Sequence, residues 1–199
     1  MTAMNKKEIT RFFDRLASSW DDSLEPDETK IRRIMDAAGI REGSAVLDIA
    51  CGTGVLFPFY LQRGVSSVTG ADISEQMVSV CRRKYDGCQR VEVLCADAEV
   101  YPFEERYDAC MVFNAFPHFC NPKALLKNLR CALKEGGTLT VAHDSGRAAL
   151  DRHHEGTASQ VSCGLISENE LAALFEACGY TDVYKYADDG IYIVTGIKK

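Results

Sequence analysis

The stretch Ser44-Ala45-Val46-Leu47-Asp48-Ile49-Ala50-Cys51-Gly52-Thr53-Gly54-Val55 decides how the rest of the chain is read. Its first half, Ala45 to Ala50, is a short apolar run of the kind a buried parallel strand needs. The run breaks at Cys51-Gly52-Thr53-Gly54, and an apolar segment of helical length follows, so the pattern predicts a strand, a tight turn and a helix over 53–63. Glycine at Gly52 and Gly54 lets the backbone turn sharply and lets a ligand approach without a Cβ in the way. A helix starting near Thr53 would aim free amide N–H groups at whatever lies above the turn. Eighteen positions beyond Gly54, at the end of a second strand-like run, stands Asp72. A carboxylate there suits a ribose with both hydroxyls free, because it accepts two hydrogen bonds and repels a 2′-phosphate. The dinucleotide fingerprint G-x-G-x-x-G is not met, since Ala50 and Val55 hold its first and third glycine positions.

Working outward, 199 residues make about one domain with room for a single core. A hydrophobic content of 46% and a charged content of 26% are ordinary for a globular protein. The net charge of −6 and the lack of a basic patch argue against nucleic acid as a partner. No apolar stretch approaches the roughly 20 residues of a membrane span, and the N-terminus lacks the apolar core of a signal peptide. Nine cysteines are scattered singly, none of them in C-x-x-C. They read as free thiols of a reducing cytoplasm, most of them small core hydrophobes.

Ile9, Phe12, Phe13 and Leu16 fall at helical spacing, predicting a helix over 5–17. A second follows Pro26, over 27–38. Strands are expected at 45–50, 67–72, 91–95, 107–113, 137–142, 180–186 and 190–197, and further helices at 74–85, 121–132 and 167–178. The alternation predicts an α/β fold with a Rossmann-like, doubly wound seven-stranded sheet, mostly parallel. Only Ala187-Asp188-Asp189-Gly190 separates the last two strands, too little for a crossover helix, so they should form an antiparallel hairpin. That hairpin also argues against a nicotinamide-dependent oxidoreductase.

Asp48-x-Ala50-x-Gly52-x-Gly54 resembles the first motif of the class I S-adenosylmethionine (SAM) dependent methyltransferases, in its LD-x-ACGTG variant. The string from Phe12 to Asp21 looks like the leader of the ubiquinone/menaquinone group within that class. The resemblance implies a single SAM-dependent methyltransferase domain over 1–199, with a helical cap over 1–40 and an acceptor-side insert over 143–165. It implies that Asp48 serves the amino end of the methionine moiety, with Ala50, Cys51, Gly52 and Gly54 beside it. Asp72 would hold the ribose, Ile73 and Met77 would lie near the adenine face, and Asp97 and Ala98 would read the adenine edge. Asn114 would contact the cofactor, and Trp20 would cover the methionine tail or else anchor the leader as a core residue. Asp108 would be structural. The product would be S-adenosylhomocysteine (SAH).

The acceptor side is less determined. His118, just past the fourth strand, is a candidate general base, because imidazole titrates near neutral pH; it could equally pack over the cofactor. Three of the four histidines, His143, His153 and His154, sit in the insert with Cys163 close behind. Two functional readings compete there. His143 and one of His153 or His154 could orient or deprotonate an acceptor, or His143 and His154 could bind a soft divalent metal with Cys163 or His118. Exposed helix residues are the plain alternative. The aromatic cluster Phe57, Phe59, Tyr60, Phe113, Phe116 and Phe119 is read as mostly core with some acceptor-pocket members. The expected function is methyl transfer to a small molecule by a monomer or homodimer. The alternative is a SAM-binding module without transfer activity serving a partner enzyme.

Overall fold

The structure, a computed structural model, describes residues 5–145, 162 and 164–199. Its centre is a seven-stranded sheet in the order β3-β2-β1-β4-β5-β7-β6. The strands are β1 (Ala45–Ile49), β2 (Ser67–Asp72), β3 (Val91–Cys95), β4 (Tyr107–Phe113), β5 (Leu133–His143), β6 (Tyr180–Ala187) and β7 (Tyr192–Lys198). β1 to β5 pair in parallel, and β7 is antiparallel to both β5 and β6. The helices are α1 (Lys6–Leu16), α2 (Glu28–Ala37), α3 (Phe57–Gln62), α4 (Glu75–Lys84), α5 (Pro122–Ala132) and α6 (Glu168–Ala177), with short 3₁₀ segments at Ala17–Ser23 and Phe116–His118.

Strand parity sorts the core into two layers, because successive side chains leave opposite faces of a strand. Leu47, Ile49, Cys110, Val112, Leu139 and Val141 pack on the face covered by α5 and α6. Val46, Val68, Ala109 and Met111 pack on the other, under α2, α3 and α4. The structural expectation for Asp108 holds: its carboxylate accepts from the N–H of Ala45 at 2.7 Å and from Lys134 at 2.9 Å, fixing the start of β1.

The helix after the glycine turn differs from expectation. It begins at Phe57, not near Thr53, with Pro58 in its first turn. Gly54 has φ +84°, outside the helical region, and the N–H groups of Gly54 and Phe57 already close tight turns onto Cys51 and Gly54 carbonyls. Among the eight described cysteines, Cys51, Cys81, Cys110 and Cys178 are buried, while Cys95, Cys120 and Cys131 are exposed.

The leader, α1 and its 3₁₀ extension, lies along α4 and is held by polar pins. Asp14 accepts from the Ser74 hydroxyl at 2.6 Å and from the N–H of Gln76 at 3.2 Å. Asp21 accepts from Lys84 at 2.7 Å and from the Thr53 hydroxyl at 2.5 Å. Despite partial burial, those two partners hold the Asp21 carboxyl below its ordinary range. Lys6 reaches Asp97 at 2.6 Å and Glu99 at 2.5 Å.

Candidate active site

In open parallel sheets the carboxyl ends of the strands bear the loops that meet ligands, at the point where strand order reverses. Here the reversal falls at β1, flanked by β2 and β4. A cavity opens there, roofed by the leader. Along the sheet it runs from the ends of β3 and β2, past β1, to the ends of β4 and β5.

The turn after β1 is its floor. Ala50 adopts φ +53° and Gly52 φ +54°. Asp72, at the end of β2, locks this turn: one carboxylate oxygen accepts from the N–H of Gly52 at 2.9 Å, the other from the N–H of Ser74 at 2.8 Å. Asp72 also lines the cavity. Burial pushes the Asp72 carboxyl above its ordinary range, and the backbone hydrogen bonds from Ser74 and Gly52 only partly offset that. Asp48 stands beside it, 2% exposed. Burial, then the nearby Asp72, push its carboxyl well above the usual range. Among the described residues no hydrogen bond reaches the Asp48 carboxyl, so it suits a cationic group brought by a ligand.

At the β3 end, Asp97 and Ala98 line the cavity. Asp97 turns one oxygen to Lys6 and accepts from the N–H of Glu99 at 3.1 Å with the other. Glu99 is buried and also accepts from the N–H of Asn121 at 2.7 Å. Ile73 and Met77 complete this side. From the leader, Trp20 sets its indole nitrogen 4.0 Å from where a Cβ on Gly52 would stand. Phe13 packs edge-on against both Trp20 and His118, with ring centres 5.8 and 5.1 Å apart.

Of the residues the sequence singled out, Trp20, Asp48, Ala50, Cys51, Gly52, Asp72, Ile73, Met77, Asp97, Ala98, Asn114 and His118 all line this one cavity. Gly54 does not. It stands behind the turn, where a Cβ would meet Tyr85 at 2.8 Å and Cys81 at 2.9 Å. His143 is also placed elsewhere. β5 runs on to His143, in register with Tyr192, and parity turns the imidazole into the same layer as Leu139 and Val141. The side chain is fully buried, edge-on to Tyr192 with ring centres 5.9 Å apart, and it does not line the cavity. His153, His154 and Cys163 lie outside the described residues. Among the described residues no group of three or more His, Cys, Asp or Glu side chains could hold a metal ion. Of the aromatic cluster, Phe113 and Phe119 line the cavity, while Phe57, Tyr60 and Phe116 are core.

Sequence reasoning missed Phe13, Leu24, Glu25, Glu99 and Asp144 as cavity residues. Phe13 was visible only as part of a helical apolar stripe. Asp144 needed the parity of β5, which composition does not give.

Comparison with known proteins places this geometry among relatives. Residues 46–137 match a family model described as a methyltransferase domain. A demethylmenaquinone methyltransferase of Staphylococcus aureus is 29% identical over 150 residues, covering 71% of this chain and 62% of that protein. The chain thus spans 62% of the length of the curated relatives it matches. A SAM-dependent methyltransferase from Aquifex aeolicus superposes with a TM-score of 0.74 at 20% identity, over 92% of this chain and 98% of that one. Phosphoethanolamine N-methyltransferase 2 of Haemonchus contortus, solved with SAM, gives 0.77 at 17% identity, over 96% of this chain and 60% of that one. At these identities the two structures share the fold with this chain.

Proposed function

We infer that the chain belongs to the class I SAM-dependent methyltransferases and resembles their ubiquinone/menaquinone group. It transfers a methyl group from SAM to a small-molecule acceptor. The observation that carries this reading is the one cavity that Asp48, Asp72, Asp97 and His118 line together.

SAM supplies a methyl group on a sulfonium, whose departure as a thioether is intrinsically favourable, so the protein chiefly binds and aligns. The residues present suit it. Asp72 offers its two remaining lone pairs to a ribose diol, and the carboxyl of Asp48 supplies negative charge beside the cationic methionine end. Asp97 and the N–H of Ala98 face the adenine edge, with Ile73 and Met77 on its plane. Asn114 and the backbone of Ala50, Cys51 and Gly52 border the reacting end, and Trp20 with Phe13 keeps water out. His118 is the candidate base in contact with the acceptor. A role for His154 stays proposed on sequence grounds alone.

The reading also carries a single-domain organisation over 1–199, a cytoplasmic location, no nucleic-acid partner and a monomer or homodimer. No helix among the described residues is long and apolar enough to cross a membrane. The relatives named for demethylmenaquinone methylation favour a small molecule as acceptor.

Calorimetric titration with SAM, SAH and NAD is the direct test, followed by methyl-labelled SAM against a panel of small acceptors. Binding of the first two without NAD, then label transfer, is the expected result. NAD binding without SAM binding would sink the reading.

A further inference from the structure

Two polar groups buried beside the turn after β1 lack a hydrogen-bond partner among the described residues: the Tyr60 hydroxyl and the Asp48 carboxyl. Asp48 leaves β1 on the same face as Val46, the face covered by α2, α3 and α4. In the sheet it lies between Gly70 of β2 and Met111 of β4. The Phe57 ring closes over Gly70, where a Cβ would stand 2.5 Å from it. Tyr60 follows one turn later in α3, its ring centre 6.5 Å from that of Phe57. It packs in the layer that holds Val46, Cys51 and Met111 and is completely buried. The helix thus sets Tyr60 over β1, on the side to which Asp48 points.

A buried tyrosine hydroxyl usually has a partner, and phenylalanine would fill the same space without desolvating a polar atom. Phe57 and Phe59 of the same helix show that this layer takes phenylalanine. A hydroxyl here calls for a polar group to meet it. Burial first, then the charge of Asp48, push the Tyr60 phenol well above its ordinary value, so it stays an O–H donor. The other titratable groups around the pair are Asp72 of β2, Cys51 in the turn with Cys81 of α4 bonded to it, and Cys110 of β4. Asp72 is an acceptor, engaged by the N–H groups of Gly52 and Ser74. The Cys51 thiol gives its hydrogen to the Gly52 carbonyl at 3.7 Å, and Cys110 packs in the opposite layer. The bond with Cys81, then burial, keep Cys51 protonated, and burial does the same for Cys110. Of these groups, Tyr60 has the hydrogen to offer Asp48.

We propose that Tyr60 is a positioning residue for SAM: its hydroxyl donates, through one buried water, to the ionised Asp48 carboxylate that receives the methionine ammonium. The proposal rests on the methyl-transfer reading above and on the part given there to Asp48. The two groups do not bond directly, and one water is the smallest bridge that satisfies a donor and an acceptor at once. The bridge favours the ionised carboxylate over the protonated acid, which is the form a cationic ligand needs. It also holds the carboxylate in one orientation.

Tyr60→Phe in the full chain tests this, with SAM, SAH and 5′-methylthioadenosine titrated calorimetrically over a series of pH values. The last ligand has the nucleoside without the amino-acid end, so it makes no demand on Asp48. The variant keeps the ring and removes a hydroxyl that no described residue bonds, so Tm should stay within about 3 °C of wild type. For SAM and SAH the rise of affinity with pH should move up by about one unit, which is about tenfold weaker binding on the rising limb. The plateau above it should be shared with wild type. Affinity for 5′-methylthioadenosine should stay within about twofold at each pH. A flat or unmoved pH profile overturns the proposal, as does equal weakening of all three ligands, which marks a packing role. A larger loss of Tm, or failure of the variant to fold, shows that the hydroxyl holds the core and overturns it too. A wild-type chain that takes up neither SAM nor SAH sinks the methyl-transfer reading and this inference with it. Wild-type uptake of SAM that Tyr60→Phe reproduces at every pH sinks the inference alone.

Discussion

Replacing Asp72 with asparagine separates the two tasks assigned to that carboxylate. In the wild-type chain its oxygens accept from the N–H groups of Gly52 and Ser74 at 2.9 and 2.8 Å. An amide has one oxygen and one NH₂, so in either rotamer one backbone donor would face another donor. A hydrogen bond to a charged group contributes about 1.5–3 kcal/mol, and a buried donor left unpaired costs about 1–3 kcal/mol. The opposing effect is desolvation, because burial already disfavours the ionised Asp72 carboxyl and the amide removes that charge. With the two in opposition, the ligand-free protein should lose only about 1 kcal/mol, a fall of roughly 2–4 °C in Tm for a chain of this size. Affinity for SAH should suffer far more. One of the two ribose bonds loses its acceptor and the other becomes neutral, together about 3 kcal/mol or more, which is roughly a hundredfold in Kd. Thermal melting without ligand and calorimetry with SAH measure the two quantities on one preparation. Wild-type SAH affinity in a folded Asp72→Asn protein would refute the ribose assignment and leave Asp72 only its hold on the turn.

Gly70, in register with Asp48 on the neighbouring strand, has no room for a methyl group: a Cβ there would stand 2.5 Å from the Phe57 ring and 2.8 Å from Cys51 Sγ. Gly70→Ala should cost about 1–3 kcal/mol by overpacking and displace Cys51; wild-type melting would contradict the packing described. The Asp48 carboxyl titrates above its ordinary value of 3.8, first through burial and then through Asp72. In the ligand-free protein its contribution to stability is therefore full below 3.8 and is lost as pH rises through the raised value. A cationic ligand favours the ionised form, so SAM affinity should climb with pH across that window and level off above it. Calorimetry over pH should show proton release in the wild type and none in Asp48→Asn, and a flat profile in both would remove Asp48 from the site. Since the buried His143 ring does not line the cavity, His143→Ala should lower stability by about 2–4 kcal/mol. Turnover per folded molecule should stay near that of the wild type, and loss of turnover at unchanged stability would restore a catalytic part for His143.

The sheet was open to reading because each strand carries its own evidence. β2, β3 and β4 fall at the expected residues, since apolar runs bounded by turn residues mark both ends. The hairpin of β6 and β7 followed from the short gap at 187–190. The start of α3 was misjudged because Thr53 to Leu56 has helical composition, while the left-handed Gly54 and the following turn are conformational facts. On the cofactor side Asp72 was read from its spacing, whereas Asp48 and Asp97 were singled out by the resemblance to class I methyltransferases; all three lie at or just beyond a strand end. The acceptor side depended on strand parity. Extending β5 by one residue, to His143, sends the imidazole into the core and leaves its neighbour Asp144 for the cavity. Successive residues of a strand leave opposite faces, so His143 follows Leu139 and Val141 once β5 runs that far.

The leader has a further consequence. Ile9, Phe13, Trp20 and Leu24 belong to one continuous ribbon of chain ahead of β1, whereas the opposing floor is gathered from separate loops after β1, β2 and β3. The ribbon is held to the rest by side-chain pins at Lys6, Asp14 and Asp21, not by a strand shared with the sheet. It can therefore vary as a cassette. A chimaera that keeps those three anchoring residues and replaces the apolar ones between them would leave the ribbon seated while changing the surface it turns to the cavity. In this architecture the seating of the roof and the character of its inner surface are set by different residues.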